Sequence, residues 1–494
     1  MYRSSSKDIT TVSLSILGGA LIAVCLAAML SSARPLTILI VFVGLIAVLP
    51  SFIIKDSKLY WLSLYLLLFP LEGGKRISNL DQSSEDLLDT IGLPPTGDLG
   101  VKLYPSDFAL LALTGPWLFE LVRNRGKGMY FPRVSYLFLA YIAWELVGTV
   151  LKARYFSLSC AQLVHDFKYF LVYIYAVNNL NRQTVKSVLN VLLVILFCEA
   201  SAALFLHALG YTRESILELL HLQVAREYEF LIGQEHEDFS RAAGTMASAS
   251  NLAMYLQLLF PIPLALLCIT KSVQIKVCSF VIYILAAGAM YATGSRAGLL
   301  GLVAGSITCL VILFVRRYIS VRELALLTLV AGFGAILTAG PNSLLYKFMT
   351  ARPENYENRF ALMEQGRDLI LANPILGVGP NNSTAVRLGT DQNSEGAYYE
   401  LFPIHNAYIV LAAEAGVIGF LLFFSGLASV VLKAIRLSKS EQADNAIVCI
   451  VVVSAYVALW TQLGGDHFVG NAQHSLLWLY AGIIVGISSE RKLC

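Results

Sequence analysis

"SFVIYILAAGAMYATGSRAGLLGLVAGSITCLVILFV" runs from Ser279 to Val315 and holds one charged residue, Arg296. Apolar runs of this length suit the hydrocarbon core of a bilayer, and the short "TGSRAG" between them reads as the turn of a membrane hairpin. A guanidinium stays charged at any ordinary pH, so Arg296 needs water, an anion or a short way out of the membrane. A charge enclosed by two spans is a functional hypothesis by default. This hairpin sets the reading of the rest of the chain: a bundle of apolar helices with something to bind at a helix end.

Composition agrees. The 494 residues are 57% hydrophobic and 14% charged, with a mean hydropathy of +0.67. Soluble domains carry about 25% charged residues, so the chain belongs with all-α polytopic membrane proteins. Its net charge of +3 says little about partners, and no nucleic-acid partner is expected. Among the eight cysteines no CxxC pair occurs, so neither a disulfide framework nor a zinc site is read. The apolar core of "MYRSSSKDITTVSLSILGGALIAVCLAAML" is long for a signal peptide, and another apolar run follows it, so a retained first helix is expected.

Apolar runs of roughly 15 to 23 residues give about fourteen candidate spans. They fall near 12–31, 35–54, 58–71, 105–122, 134–151, 165–179, 186–209, 248–270, 277–293, 298–315, 321–340, 407–434, 443–463 and 473–488. Lys and Arg cluster in alternate connections, from Arg3/Lys7 through Arg316/Arg317/Arg322 to Arg491/Lys492. All of these fall on one side if both termini do, and that side is expected to be the cytoplasm. The opposite side receives the longer segments, 72–104, 210–247 and 341–404. Arg241, Arg296, Arg352, Arg359, Arg367 and Arg387 lie there with His405, against the charge bias, and suggest an anionic ligand. No internal repeat is visible, so the inverted-repeat architecture of many transporters gains no support.

Three stretches on this side carry candidate chemistry. In "DFSRAAGTMASASNLAMYLQLLFP", Arg241 precedes Gly244, Asn251 is expected to open a helix, and Pro261 to end or kink it. The second stretch holds Ser295 and Arg296. In the third, "LFPIHNAYIVLAAEAGVIGFLLF", Asn406 is a good N-cap for a helix from Ala407, and Gly416 marks a break just after Glu414. An imidazole at a helix N-terminus is held neutral by the dipole, and a neutral His405 can accept a hydroxyl proton as a general base. A histidine that only hydrogen-bonds a loop carbonyl fits the same local sequence. Arg296 and Arg241 suit a diphosphate, although pairing with Glu145, Glu199 or Glu414 would also satisfy them.

"NYENRFALMEQGRDLILANPILGVG" reads as an amphipathic surface helix with Phe360, Met363, Leu369 and Ile370 on its apolar face and a glycine turn behind it. Arg359 and Arg367 on its polar face are further candidates for substrate contact, as is Asn406. Asp466, His467 and His474 in "GGDHFVGNAQHS" superficially suggest metal ligands, but their spacing matches no standard site, so no metal is expected.

Together "RAAGTMASASNLAMYL", "TGSRAG", "NRFALMEQGRDLILANPILGVGPNN" and "HNAYIVLAAEAGVIGF" resemble the bacterial O-antigen ligase and O-antigen polymerase superfamily over about residues 235–435. The resemblance implies a GT-C-like bundle of about 12–14 transmembrane helices with a large extracytoplasmic loop bearing amphipathic helices. It also implies an inverting glycosyltransferase without cofactor or metal, at the outer face of the bacterial inner membrane. The donor would be an undecaprenyl diphosphate-linked glycan and the acceptor a second glycan or lipid-linked glycan. Membrane lipid and other polysaccharide-assembly proteins are the further partners implied. His405 would be the base, with Arg296 and Arg241 on the donor diphosphate. Many ligases carry a second histidine before this one, where this chain has Ile404, which leaves polymerase and ligase equally open.

The expected division is an N-terminal bundle at 1–209, a catalytic region at 210–436 with the loop 341–404, and C-terminal helices at 437–494. The alternatives are a transporter or flippase for lipid-linked sugars and a non-catalytic subunit of a polysaccharide export complex.

Overall fold

The computed structural model describes residues 57–71, 75–76, 102–126, 128–210, 241–246, 248–325, 353–388, 403–439, 443–468 and 470–490. The spans expected at 12–31 and 35–54 lie outside the described residues, as do 326–340 of the span expected at 321–340 and Arg352. In chain order the helices are α1 (Ser57–Leu67), α2 (Pro105–Arg123), α3 (Arg133–Lys152), α4 (Phe156–Asn179), α5 (Arg182–Ala208), α6 (Ala249–Leu259) and α7 (Pro261–Ile269). They continue with α8 (Val273–Ala292), α9 (Arg296–Val315), α10 (Pro353–Ala372), α11 (Ser383–Leu388), α12 (Ala407–Leu437), α13 (Ala443–Leu463) and α14 (Asn471–Glu490). A ribbon of two short antiparallel strands, β1 (Lys75–Arg76) and β2 (Lys102–Leu103), was not legible in the sequence.

The molecule is an all-α polytopic membrane protein. Seven helical runs among the described residues are long and apolar enough to cross a membrane. Helices also occupy the spans expected at 105–122, 165–179 and 473–488. Local chemistry sets the helix starts. Ser248, Ser295 and Asn406 each turn a side-chain oxygen onto first-turn amides of α6, α9 and α12, and Pro105 and Pro261 need no amide partner where they stand. The first of these corrects the expected start at Asn251, which lies inside the first turn. Pro261 does divide α6 from α7, because a proline ring cannot follow an intact helical turn.

Helices α6, α13 and α14 form the buried centre, while α8 and α9 turn apolar side chains such as Leu300, Val303 and Ile307 outward. Lipid is as apolar as leucine, so burial alone does not drive helices together in a membrane; close packing and polar links do. Gly301 and Gly305 let α9 lie against α13: a Cβ at Gly305 would stand 2.7 Å from Ala458 Cβ. Polar links join the centre, with Tyr456 Oη donating to Leu477 O at 2.7 Å and Tyr480 Oη to Leu258 O at 2.9 Å. Gln473 Nε2 donates to Asn251 O at 2.7 Å.

The α9–α13 contact is testable. Gly305→Val should overfill it and lower stability by about 1–3 kcal/mol, whereas Val303→Leu on the outward face should be nearly neutral. Thermal unfolding in lipid nanodiscs checks the difference, and equal stability of the two variants would contradict the packing.

Candidate active site

The site assembles at the end of the bundle where α9 and α12 begin. The turn from α8 to α9 needs Gly294, whose φ of +64° is strained for any residue with a side chain. Arg241 lies against this turn: its Nε donates to Thr293 O at 2.8 Å, and the next residue's amide donates to Ala292 O at 2.9 Å. Arg296 is the first residue of α9. The structure therefore brings Arg241 and Arg296 to one turn from positions far apart in the chain.

The stretch carrying Arg241 is held from behind by Glu199 of α5, whose carboxylate accepts from Thr245 N and Thr245 Oγ1, each at 2.8 Å. Glu414 holds a different loop, accepting from Asn381 N at 2.9 Å and Ser383 Oγ at 2.6 Å. Glu145 accepts from Tyr141 Oη within its own helix.

His405 is fixed by its neighbours. Asn406 caps α12 by accepting from Tyr408 N at 3.0 Å and Ile409 N at 3.2 Å. Its amide nitrogen donates to Gly464 O at 3.2 Å, and Ala407 N donates to Asp466 O at 3.0 Å. Asn406, a candidate for substrate contact, thus spends its side chain on the cap and on the loop after α13. Ile404 is fully buried, and Gly366 of α10 lies so close that a Cβ there would be 2.8 Å from Ile404 Cδ1. The position where many ligases have a second histidine is here an apolar anchor for the surface helix.

The loop after α13 supplies what the sequence reading missed. Asp466 stands with its Oδ1 3.9 Å from His405 Nδ1, an electrostatic pairing rather than a hydrogen bond. Asp466 Oδ2 accepts from Gln462 Nε2 at 3.2 Å, and Gln462 also reaches Ser250 O at 3.4 Å. Gly465, beside Asp466, faces Ala297, beside Arg296, with a Cβ there 3.4 Å from Ala297 Cβ. The loop that carries Asp466 therefore adjoins the start of α9, where Arg296 stands. No local pattern marks Asp466 as a partner of His405; the only signal in the sequence is its place beside His467 in "GGDHFVGNAQHS".

Burial pushes the His405 imidazole below its usual range; Asp466 opposes this, while His467 and the positive charge of Arg359 add to it. The Asp466 carboxyl is buried, which alone would raise its pKa, yet the facing His405 and His467 hold it well below the carboxylate range. Asp466 is thus an anion and His405 a neutral imidazole at pH 7.

Helix α10, in which Leu362 is buried, packs on the start of α12 at Gly366, where a Cβ would meet Ile409 Cγ2 at 2.5 Å. Phe360, expected on its apolar face, is instead 66% exposed. Arg359 and Arg367 are both exposed, and of the two Arg359 acts on His405. Behind α10, the glycine turn locks onto the break in α12: Gly416 has φ +68°, as its sequence suggested. Val378 N donates to Ala413 O at 2.9 Å, Gly379 N to Glu414 O at 3.0 Å and Val417 N to Pro374 O at 2.9 Å.

His474 does not join the group formed by Asp466 and His467. Its ring stacks on Phe468 at 3.8 Å and Tyr169 at 5.0 Å, with Nδ1 on Gly470 O at 2.9 Å.

A polytopic helical membrane protein with a neutral histidine, a buried carboxylate and arginines at one helix-end site is the class defined here. Residues 281–424 match the O-antigen ligase family, which supports the O-antigen ligase/polymerase superfamily and a function of that type in polysaccharide assembly. The match spans Arg296 and His405 and stops short of Arg241 and Asp466. No curated protein matches the chain.

In chelator-treated protein with isotope-labelled histidine, NMR should find the His405 ring neutral at pH 6.5 and protonating only below it. A midpoint at or above 6.5 would contradict the environment described.

Proposed function

We propose that the protein is an inverting glycosyltransferase acting on undecaprenyl diphosphate-linked oligosaccharide at the outer face of the bacterial inner membrane, with both termini cytoplasmic. The observation that carries this reading is a neutral His405 set beside the Asp466 anion and next to the turn that bears Arg241 and Arg296.

Donor binding follows from charge. The diphosphate lies against Arg296 and Arg241 with its lipid tail in the bilayer, and the first-turn amides of α9 add the positive end of a helix dipole. The acceptor hydroxyl gives its proton to His405 as its oxygen bonds to the anomeric carbon. The bond from that carbon to the phosphate oxygen breaks on the opposite face, and the electron pair leaves with the diphosphate. Asp466 stabilises the imidazolium that forms, and the proton then passes to water. Since diphosphate is already a good leaving group, the protein supplies mainly orientation and charge stabilisation. Arg359 and Arg367 extend the positive surface along α10 toward the rest of the glycan. The catalytic region proposed at 210–436 contains the family match but borrows Asp466 from the C-terminal helices.

The deciding experiment combines purified protein in lipid with a polyprenyl diphosphate-linked glycan and candidate acceptors. Lengthening on the polyprenyl carrier identifies a polymerase, and transfer to a different lipid-linked core identifies a ligase. His405→Ala should lower kcat by about 10²- to 10⁴-fold and leave donor binding nearly intact. Arg296→Ala should weaken both binding and turnover. Full activity in either variant removes the role assigned to that residue.

A further inference from the structure

Asp466 gathers two histidines. One ligand atom each from His405, Asp466 and His467 lies within 4.8 Å of the other two. Asp466 Oδ1 is 3.2 Å from His467 Nδ1 and 3.9 Å from His405 Nδ1. Two ligands on one tetrahedral zinc ion stand about 3.4 Å apart, given metal–ligand bonds of about 2.0–2.2 Å, so small side-chain rotations close the set. The site is also built from behind. Asp466 Oδ2 is held by Gln462 Nε2 and Oδ1 by the His467 amide at 3.0 Å, the outer contacts that orient a ligating carboxylate. Among the described residues, His467 Nδ1 is buried and makes no hydrogen bond, although it faces the carboxylate. Both imidazoles keep a partly open side, 22% and 20% exposed, from which an ion and one water can enter.

We propose that His405, Asp466 and His467 form a binding site for a divalent transition-metal ion of the zinc class. Two imidazoles and one carboxylate favour zinc over magnesium or calcium, which prefer oxygen donors throughout. The consequence for turnover rests on the reading under Proposed function. An imidazole that ligates through Nδ1 keeps its proton on Nε2, so a zinc-loaded His405 has no lone pair to accept a hydroxyl proton. The ion is therefore an inhibitor of transfer, not its cofactor.

The test uses tag-free, full-length protein in lipid nanodiscs, titrated with zinc chloride against a fluorescent chelator and desalted for elemental analysis. Wild-type protein should retain one zinc per chain, and excess magnesium should not displace it. His467→Gln leaves the His405–Asp466 pair in place and should bind zinc at least about 10-fold more weakly, with unchanged thermal unfolding as the folding control. Asp466→Asn is the second variant and should behave alike. No retention by wild-type protein, or equal retention by both variants, overturns the site. In the transfer assay zinc should inhibit wild-type protein and spare His467→Gln at the same concentration; activation by zinc, or no effect on the zinc-loaded protein, overturns ligation through His405. Absence of transfer by metal-free wild-type protein counts against the proposed function alone, and the retention result then decides the site.

Discussion

Two hydrogen bonds set the register between the start of α12 and the loop after α13: Ala407 N to Asp466 O and Asn406 Nδ2 to Gly464 O. They tie a helix N-terminus, whose amides need partners in an apolar setting, to a segment that supplies carbonyls. With that register, Asp466 faces His405 and Gly465 faces Ala297. A slip of one residue along the loop would turn the carboxylate away from the imidazole. Asn406 thus matters to the site through the bonds that place its neighbours.

The same accounting explains the outer loop. A helix that unwinds at Gly416 leaves backbone groups without helical partners, which is tolerable in a membrane protein only when other protein supplies them. The turn from Pro374 to Gly379 does so, and Trp144 Nε1 donates to Ala415 O at 3.0 Å. Glu414 then holds Asn381 and Ser383, so the break in α12 is also the anchor of α10 and α11. Through Gly366 and Ile404, this anchoring presses α10 against the residue next to His405.

Of the four stretches that resemble the O-antigen ligase and polymerase superfamily, those bearing Arg241, Arg296 and His405 converge at one helix end, and the family match falls on all but the first. What the resemblance lacked was the far side of the site. Asp466 and Gln462 lie beyond the matched residues, and they connect His405 back to Ser250 in the stretch that begins at Arg241. Glu199 and Glu414 hold loops, and Glu145 accepts from a tyrosine.

Local rules sufficed for much of the molecule. Hydropathy marked the membrane helices, Asn406 its cap, Pro261 its interruption and Gly416 its break, because each depends on residues within one or two turns. Phe360 escaped such a reading, since exposure toward lipid or solvent is decided by what packs against a helix and not by its own periodicity. The metal-like trio was likewise misgrouped: His474 is drawn off by ring stacking with Phe468 and Tyr169, and His405 takes its place from a different segment. Sequence alone determined that a positive, histidine-bearing surface exists at one end of a helical bundle. Only the tertiary structure decided which side chains meet there, because that grouping depends on loop register across elements far apart in the chain, which no local pattern encodes.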